Sequence, residues 1–278
     1  MAMHINTNIQ SLNAQRHLGK TQGLLTKNLE RLSSGKRINS AADGAAALAI
    51  SEELSAQVRS LSQAQRNTMD GVSMIQTAEG VTGEMSDNLI RMSELAVQAS
   101  NGTLSDSDRQ AINAEFTQLR DEIDRTSAGA EFNGQKLLDG SANVNIQVGA
   151  NAGANQQINI SINEMNSSTM GDGTTTLDNL DLSTAGGASA ALGVIEGAQN
   201  DLSTARAELG AKQNTLSSTT RNLSVERENI MAANSRIVDV DVAKETTQKA
   251  LNQIVTQANI SVLSQANQLP AMALSLLG

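Results

Sequence analysis

Proline is almost absent from this chain, and so are aromatic rings and thiols. Among 278 residues there are one proline (Pro270), two phenylalanines, and no tyrosine, tryptophan or cysteine. At average usage, near 5%, a chain of this length would carry about fourteen prolines. Long helices exclude proline from their interiors, so its scarcity points to helix over most of the length. Aromatic side chains dominate the energetics of compact cores, and here Ala, Leu, Ile, Val and Met must bury surface in their place. Thin seams between helices are the expected result, and a broad globular core is not. Without cysteine there is no disulfide framework and no thiolate metal site, which suits a chain that crosses a membrane unfolded. The formal net charge is −9, so the basic face that general nucleic-acid binding needs is missing. No stretch approaches the roughly 18 apolar residues of a membrane span, and residues 1–20 lack the apolar run of a cleavable secretory signal.

What is present is periodic. Ile195, Leu202, Leu209, Leu216, Leu223, Ile230 and Ile237 recur at strict seven-residue spacing. A stripe of that period stays on one side of a helix only when the helix pairs along its length. The segment 195–237 predicts one helix of about 65 Å at 1.5 Å per residue. Partner patterns lie in the N-terminal half. Leu18, Leu25, Leu29 and Leu32 form one, and Leu54, Val58, Leu61, Val72 and Ile75 a second. A third uses Met85, Leu89, Met92, Ala96 and Ala99 at steps of four and three. Asn101-Gly102 breaks that helix, and Ser105 with Asp108 predicts a capping box opening another through about residue 127.

The middle changes character. Val144, Ile146 and Val148 alternate with polar residues, as do Ile158, Ile160 and Ile162, which predicts a β-hairpin around a long loop. Residues 166–190, rich in Ser, Thr, Gly and Asp, read as an exposed loop or a small irregular cap. The last segment is the most informative. Residues 250–278 contain no charged side chain, yet Leu251, Val255, Ala258, Val262 and Leu269 keep helical spacing among Gln, Asn, Ala and Ser. A helix normally stays soluble through charges on its outer face. This one is too polar for lipid, so burial among other copies of the chain is the physical solution. In the isolated chain that segment and residues 1–35 are expected to be disordered.

Sequence motifs at both ends resemble those of flagellin, the filament protein family of bacterial flagella. At the N-terminus they are Ile5-Asn6-Thr7-Asn8 and the run Leu32-Ser33-Ser34-Gly35-Lys36-Arg37-Ile38-Asn39-Ser40-Ala41-Ala42-Asp43. At the C-terminus they are Arg236-Ile237-Val238-Asp239-Val240-Asp241, Gln257-Ala258 and Gln265-Ala266-Asn267-Gln268, followed by Pro270. Phe132-Asn133-Gly134 with Leu137-Leu138 also fits. The resemblance implies a mainly α fold of long antiparallel helices in a coiled-coil-like bundle, with a small β-hairpin region in the middle. It implies residues 1–45 and 238–278 as an inner assembly layer, 46–140 and 191–237 as a helical layer, and 141–190 as a hairpin and exposed loop. It implies export in the unfolded state by the flagellar type III apparatus and polymerisation of the chain with itself into an extracellular filament. Implied partners are the cap protein, the hook–filament junction protein and an export chaperone at the C-terminal helix. Leu25, Leu29, Leu32, Leu251, Val255, Val262 and Leu269 are then the expected assembly residues.

The stretch 89–101 resembles the flagellin helix read by Toll-like receptor 5, with Arg91, Leu95 and Glu115 at matching positions. Two other readings stand beside the filament subunit: a hook–filament junction protein, and a soluble coiled-coil binding module or export chaperone. The last leaves the charge-free C-terminal segment exposed to water. For chemistry the chain offers little. His4 and His17 lack ligands at metal spacing, and Asp239 and Asp241 point to different sides of a helix, which favours a turn or an inter-helix contact over acid–base work. Glycine-rich stretches lack the Lys-Ser/Thr of a phosphate loop. No cofactor and no enzyme activity are expected.

Overall fold

A computed structural model describes residues 7–275, with side chains described as far as Gln268. The motif residues Ile5 and Asn6, His4 and the side chain of Leu269 lie outside these limits. Five helices carry the chain: α1 (Ile9–Ser34), α2 (Ala41–Ser100), α3 (Asp106–Gly129), α4 (Ala185–Val238) and α5 (Val242–Ser275). Between α3 and α4 lie two antiparallel hairpins, β1 (Glu131–Phe132) with β2 (Gln135–Lys136), and β3 (Asn143–Gln147) with β4 (Gln157–Ser161). The chain divides into two compact units, residues 1–57 with 229–278, and residues 58–228.

The larger unit is built on apolar faces that the sequence spaces correctly. Met85, Leu89, Met92, Ala96 and Ala99 of α2 are fully buried, as is Leu216 of α4, with Leu202, Leu209 and Leu223 nearly so. Ile112, Phe116 and Ile123 close the same core from α3. Helix α2 stops at Ser100, before Asn101-Gly102, and α3 opens with the capping box that its sequence predicts. The Asp108 amide donates to the Ser105 hydroxyl at 3.3 Å, and the Ser105 amide returns a bond to the Asp108 carboxylate at 3.2 Å. The Ser105 hydroxyl, which donates to the Asp108 carboxylate at 2.6 Å, and after it the Ser105 amide hold the Asp108 carboxyl below its usual range.

Arg109 ties the two helices at this corner. It is 6% exposed, and its guanidinium donates to the carbonyls of Ala99 and Asn101, both at 2.9 Å. A buried cation thereby satisfies orphan carbonyls at the C-terminal end of α2.

Hairpin β3–β4 forms where alternation predicts one, in the register Val144 opposite Ile160 and Ile146 opposite Ile158. It packs on α2 where Gly71 leaves room. A Cβ at Gly71 would stand 3.2 Å from Ile146 and 3.3 Å from Leu216, so hairpin and α4 converge there on bare backbone. Hairpin β1–β2 was not predicted as structure; its Asn133-Gly134 turn takes positive φ at both residues, 49° and 79°, which matches the twist of a two-residue hairpin.

Two expectations need correction. The core of this unit is one contiguous cluster, not a set of thin seams, because α2, α3, α4 and the hairpins all contribute and methionines (Met74, Met85, Met92, Met165, Met170) fill the irregular spaces. Residues 166–190 are the small irregular cap only as far as 184, because helix α4 takes 185–190. Met170, Leu177 and Leu182 are buried, and Asp124 of α3 holds the segment by accepting from the Ser167 amide and hydroxyl, both at 2.7 Å. It is an irregular cap with its own apolar anchors.

Candidate assembly surface

The smaller unit holds both ends of the chain as the antiparallel pair α1–α5. Their contact includes polar layers. Asn252 Nδ2 donates to Asn28 Oδ1 at 3.2 Å, and Asn259 Nδ2 donates to Thr21 Oγ1 at 3.1 Å. Asn8 caps α1 by accepting from the Ser11 amide at 3.1 Å, and its Nδ2 reaches the Ala266 carbonyl at 2.7 Å. Ser11 donates to Asn267 Oδ1 at 2.7 Å. From Asn28–Asn252 to Thr21–Asn259, seven residues back along α1 answer to seven residues on along α5. Where disorder is expected of the isolated chain, the structure therefore has two capped helices, held by amide and hydroxyl pairs that a search for apolar heptads does not reveal.

Leu18, Leu25 and Leu32 are half-buried on the seam side of α1, alternating with Ala14, Thr21 and Asn28, but Leu29 is 46% exposed. On α5 the seam is Asn252, Thr256, Asn259, Leu263 and Ala266, one position on from the expected apolar row. Leu251, Val255 and Val262 are 51%, 45% and 53% exposed, and Ile254 and Ile260 join them at 63% and 52%. One residue turns a side chain by about 100° on a helix, which moves the row from the seam to the outside. Large exposed apolar patches mark contact surfaces.

Where α1 gives way to α2 and α4 to α5, the two connections lie together. Gly35 ends α1 in the left-handed conformation, φ 69°. The Val240 amide then donates to the Gly35 carbonyl at 3.0 Å, the Arg37 amide donates to the Val238 carbonyl at 2.6 Å, and Ile38 and Val238 are buried. Asp241 accepts from the Lys244 amide at 3.1 Å and so caps α5. Asp239 forms an isolated bridge with Lys36, and both carboxylates thus belong to a turn.

Asp43 organises the start of α2. Ser40 donates to it through hydroxyl and amide, at 3.0 and 3.2 Å, and Lys27 and Arg31 of α1 approach at 3.3 and 3.8 Å. The Ser40 hydroxyl first, and the Lys27 ammonium next, pull its carboxyl down to about 2.

In the larger unit, the stripe of α4 is buried at Leu202, Leu209, Leu216 and Leu223. In the smaller unit it is half-buried at Ile230 and Ile237. Arg91 and Glu115 are half-exposed and joined at 2.8 Å, with Glu94 as a second partner at 2.8 Å. Leu95 is only 1% exposed. It serves the core beneath that ion pair, and the expected trio presents two side chains at the surface, not three.

Among the described residues, no cluster of three or more His, Cys, Asp or Glu could hold a metal ion, and no helix is long and apolar enough to cross a membrane. Polar groups are occupied in caps, joints and seams, and the apolar surplus faces outward. These features define a helical structural protein with its two ends brought together.

Sequence comparison carries the assignment further. The profile of the bacterial flagellin N-terminal helical region matches residues 5–143, and that of the C-terminal helical region matches residues 192–277. Flagellin of Halalkalibacterium halodurans is 45% identical over 276 residues, covering 99% of this chain and 100% of that one. Flagellin of Bacillus subtilis is 43% identical over 305 residues, with the same coverage. The flagellar filament 33 kDa core protein of Treponema phagedenis is 40% identical over 289 residues, again covering 99% and 100%. A candidate hook-associated protein of Vibrio parahaemolyticus shares the fold, with a TM-score of 0.62 at 18% identity over 71% of this chain and 100% of that one. This chain belongs to the flagellin family. It is a structural subunit of the bacterial flagellar filament, and it assembles with itself.

Proposed function

We propose that the subunit polymerises through the outward apolar faces of α1 and α5, which become buried by the same helices of neighbouring copies. The observation that carries this reading is the placement of Leu29, Leu251, Ile254, Val255 and Val262 on the outside of a pair whose own seam includes polar layers. A single chain leaves that surface wet, and many copies remove it from water at roughly 25 cal/mol per Å². Within this reading, Leu25, Leu29, Leu32, Leu251, Val255, Val262 and Leu269 are the assembly residues. Residues 1–45 and 238–278 make the inner layer, 46–140 and 191–237 the layer around it, and 141–190 the outer part.

The chain leaves the cell unfolded through the flagellar type III apparatus, with an export chaperone on the C-terminal helix, and joins the filament beyond the junction protein and beneath the cap. Free subunits are recognised by Toll-like receptor 5 through the surface that carries Arg91 and Glu115. The absence of cysteine supports passage as an unfolded chain, and the half-exposure of the Arg91–Glu115 pair supports recognition from outside.

Seeded polymerisation followed by electron microscopy tests the central claim. The full chain is expected to give long tubular filaments, and a chain lacking residues 250–278 none. Short rings from the full chain would instead make it a hook–filament junction protein. Receptor recognition has its own check: Arg91→Ala should weaken binding of the monomer without changing its helix content.

A further inference from the structure

Both terminal helices have enough Leu, Ile and Val for an apolar seam, yet two of the layers where they meet are polar. Asn28 faces Asn252 and Thr21 faces Asn259. In the same register Ala14 stands opposite Ala266, and both are buried. Each of these two series, Ala14-Thr21-Asn28 and Asn252-Asn259-Ala266, runs at a strict seven-residue spacing.

We infer that this polar ladder sets the register of the α1–α5 pair, and so decides which outer faces the two helices jointly offer to neighbouring copies. A seam of equivalent apolar layers tolerates a slide of one heptad, about 10 Å, because each layer resembles the next. The ladder does not. Slid one way, Thr21 would meet Asn252, Asn28 would meet Glu245, and Asn259 would face the methyl of Ala14. Slid the other way, Asn28 would meet Asn259, but Thr21 would face Ala266 and Asn252 would lie opposite Gly35, past the last turn of α1. Only the observed register pairs both amides of α5 with polar partners.

The arrangement also has a cost. Asn28 is 5% exposed, and its Nδ2 finds no acceptor. A buried donor left unpaired weakens a contact, so the ladder reads as a device for specificity, with strength given up for it. Each stranded amide should disfavour a shifted register by about tenfold or more.

The chain's lack of cysteine makes the test direct. Cysteines at Ser11 and Asn267, which touch in the observed register, report that register on oxidation. Cysteines at Ser11 and Ile260 report a slide of one heptad. Each pair is placed in the full chain and seeded at trace level into filaments of unmodified chain, and intramolecular cross-links are counted by mass spectrometry after digestion. The observed-register link should exceed the shifted one by about tenfold or more.

In the variant Asn259→Ala, which removes the amide that this slide would strand against Ala14 while Thr21 keeps its bond to the His17 carbonyl, the shifted link should rise to within a few-fold of the other, with filament incorporation retained. Asn259→Leu, which fills the space instead, is read in the same way. An unchanged ratio in both variants would overturn the inference. So would exclusion of both from filaments, because the ladder would then be holding the pair together instead of choosing its register. The setting rests on polymerisation through these helices, and the failures are separable: unmodified chain that forms no filaments defeats that reading, whereas filaments with an unchanged cross-link ratio defeat only this one.

Discussion

The two units of this molecule solve the burial problem in opposite ways. In residues 58–228 most large apolar side chains point inward, with Met69, Ile90, Val97 and Val225 left exposed, and the conspicuous polar groups (Arg109, Asp124, the Ser105–Asp108 box) sit at the corners where helices end. In the unit that holds α1 and α5, Thr21, Asn28, Asn252 and Asn259 enter the seam, and Leu29, Leu251, Ile254, Val255 and Val262 face out. The first arrangement is complete within one chain. The second leaves its hydrophobic surface unsatisfied until other copies arrive, and a filament subunit needs both: a part that keeps its shape and a part whose burial depends on assembly.

The largest effect is expected where the first arrangement is broken. Leu216→Ala removes a fully buried side chain that meets both α2 and the hairpin near Gly71. It should cost about 2–5 kcal/mol in urea unfolding of the monomer, a range set by how far the cavity collapses. A loss below about 1 kcal/mol would mean that the core is looser than its burial implies.

An intermediate effect concerns the joint at Asp43. Its carboxyl is held at about 2 when folded and returns to an ordinary value near 3.8 when unfolded. The folded form thus releases the proton more readily, and the associated stabilisation is full above the unfolded value and fades as pH falls through the folded one. Carbon NMR of the side-chain carboxyl should show a titration midpoint near 2. Ser40→Ala, which removes the leading hydrogen bond, should move that midpoint toward 3.8. An unmoved midpoint would transfer the effect to Lys27 and Arg31.

The smallest effect on the fold sharpens the comparison most. Leu29→Ser and Val262→Ser change exposed positions, so monomer stability should stay within about 0.5 kcal/mol of the parent. The concentration needed for polymerisation should nevertheless rise. A drop in monomer stability comparable to that of Leu216→Ala would show that these side chains serve the single chain after all.

Much of the larger unit was legible in the sequence because its signals are local or periodic. Leu202 to Leu223 repeat every seven residues, Asn101-Gly102 cannot sit inside a stable helix, and Ser105 with Asp108 encodes its own cap. Alternation marked both strands of the β3–β4 hairpin, and their register came from the structure. The α1–α5 seam was legible only in part: Leu18, Leu25 and Leu32 keep their helical step on the seam side of α1, whereas the apolar row of α5 lies one position off the seam. The signal was nonetheless there: Ala14, Thr21 and Asn28 keep the same seven-residue step, and so do Asn252, Asn259 and Ala266. Polar residues at such positions declare a seam only once the partner is known, since an Asn opposite water and an Asn opposite Asn look alike in a single strand of text.

By itself the sequence determined the helical class, the end of α2, the capped start of α3, the β3–β4 hairpin and the kinship, because propensity, caps and motifs are properties of neighbouring residues. Tertiary structure alone decided which face of each terminal helix is the seam, that Leu95 lies under the Arg91–Glu115 pair and not beside it, and that Arg109 closes the end of α2. Those outcomes depend on which residues distant in the chain come within hydrogen-bonding or packing distance, and no local pattern encodes that distance.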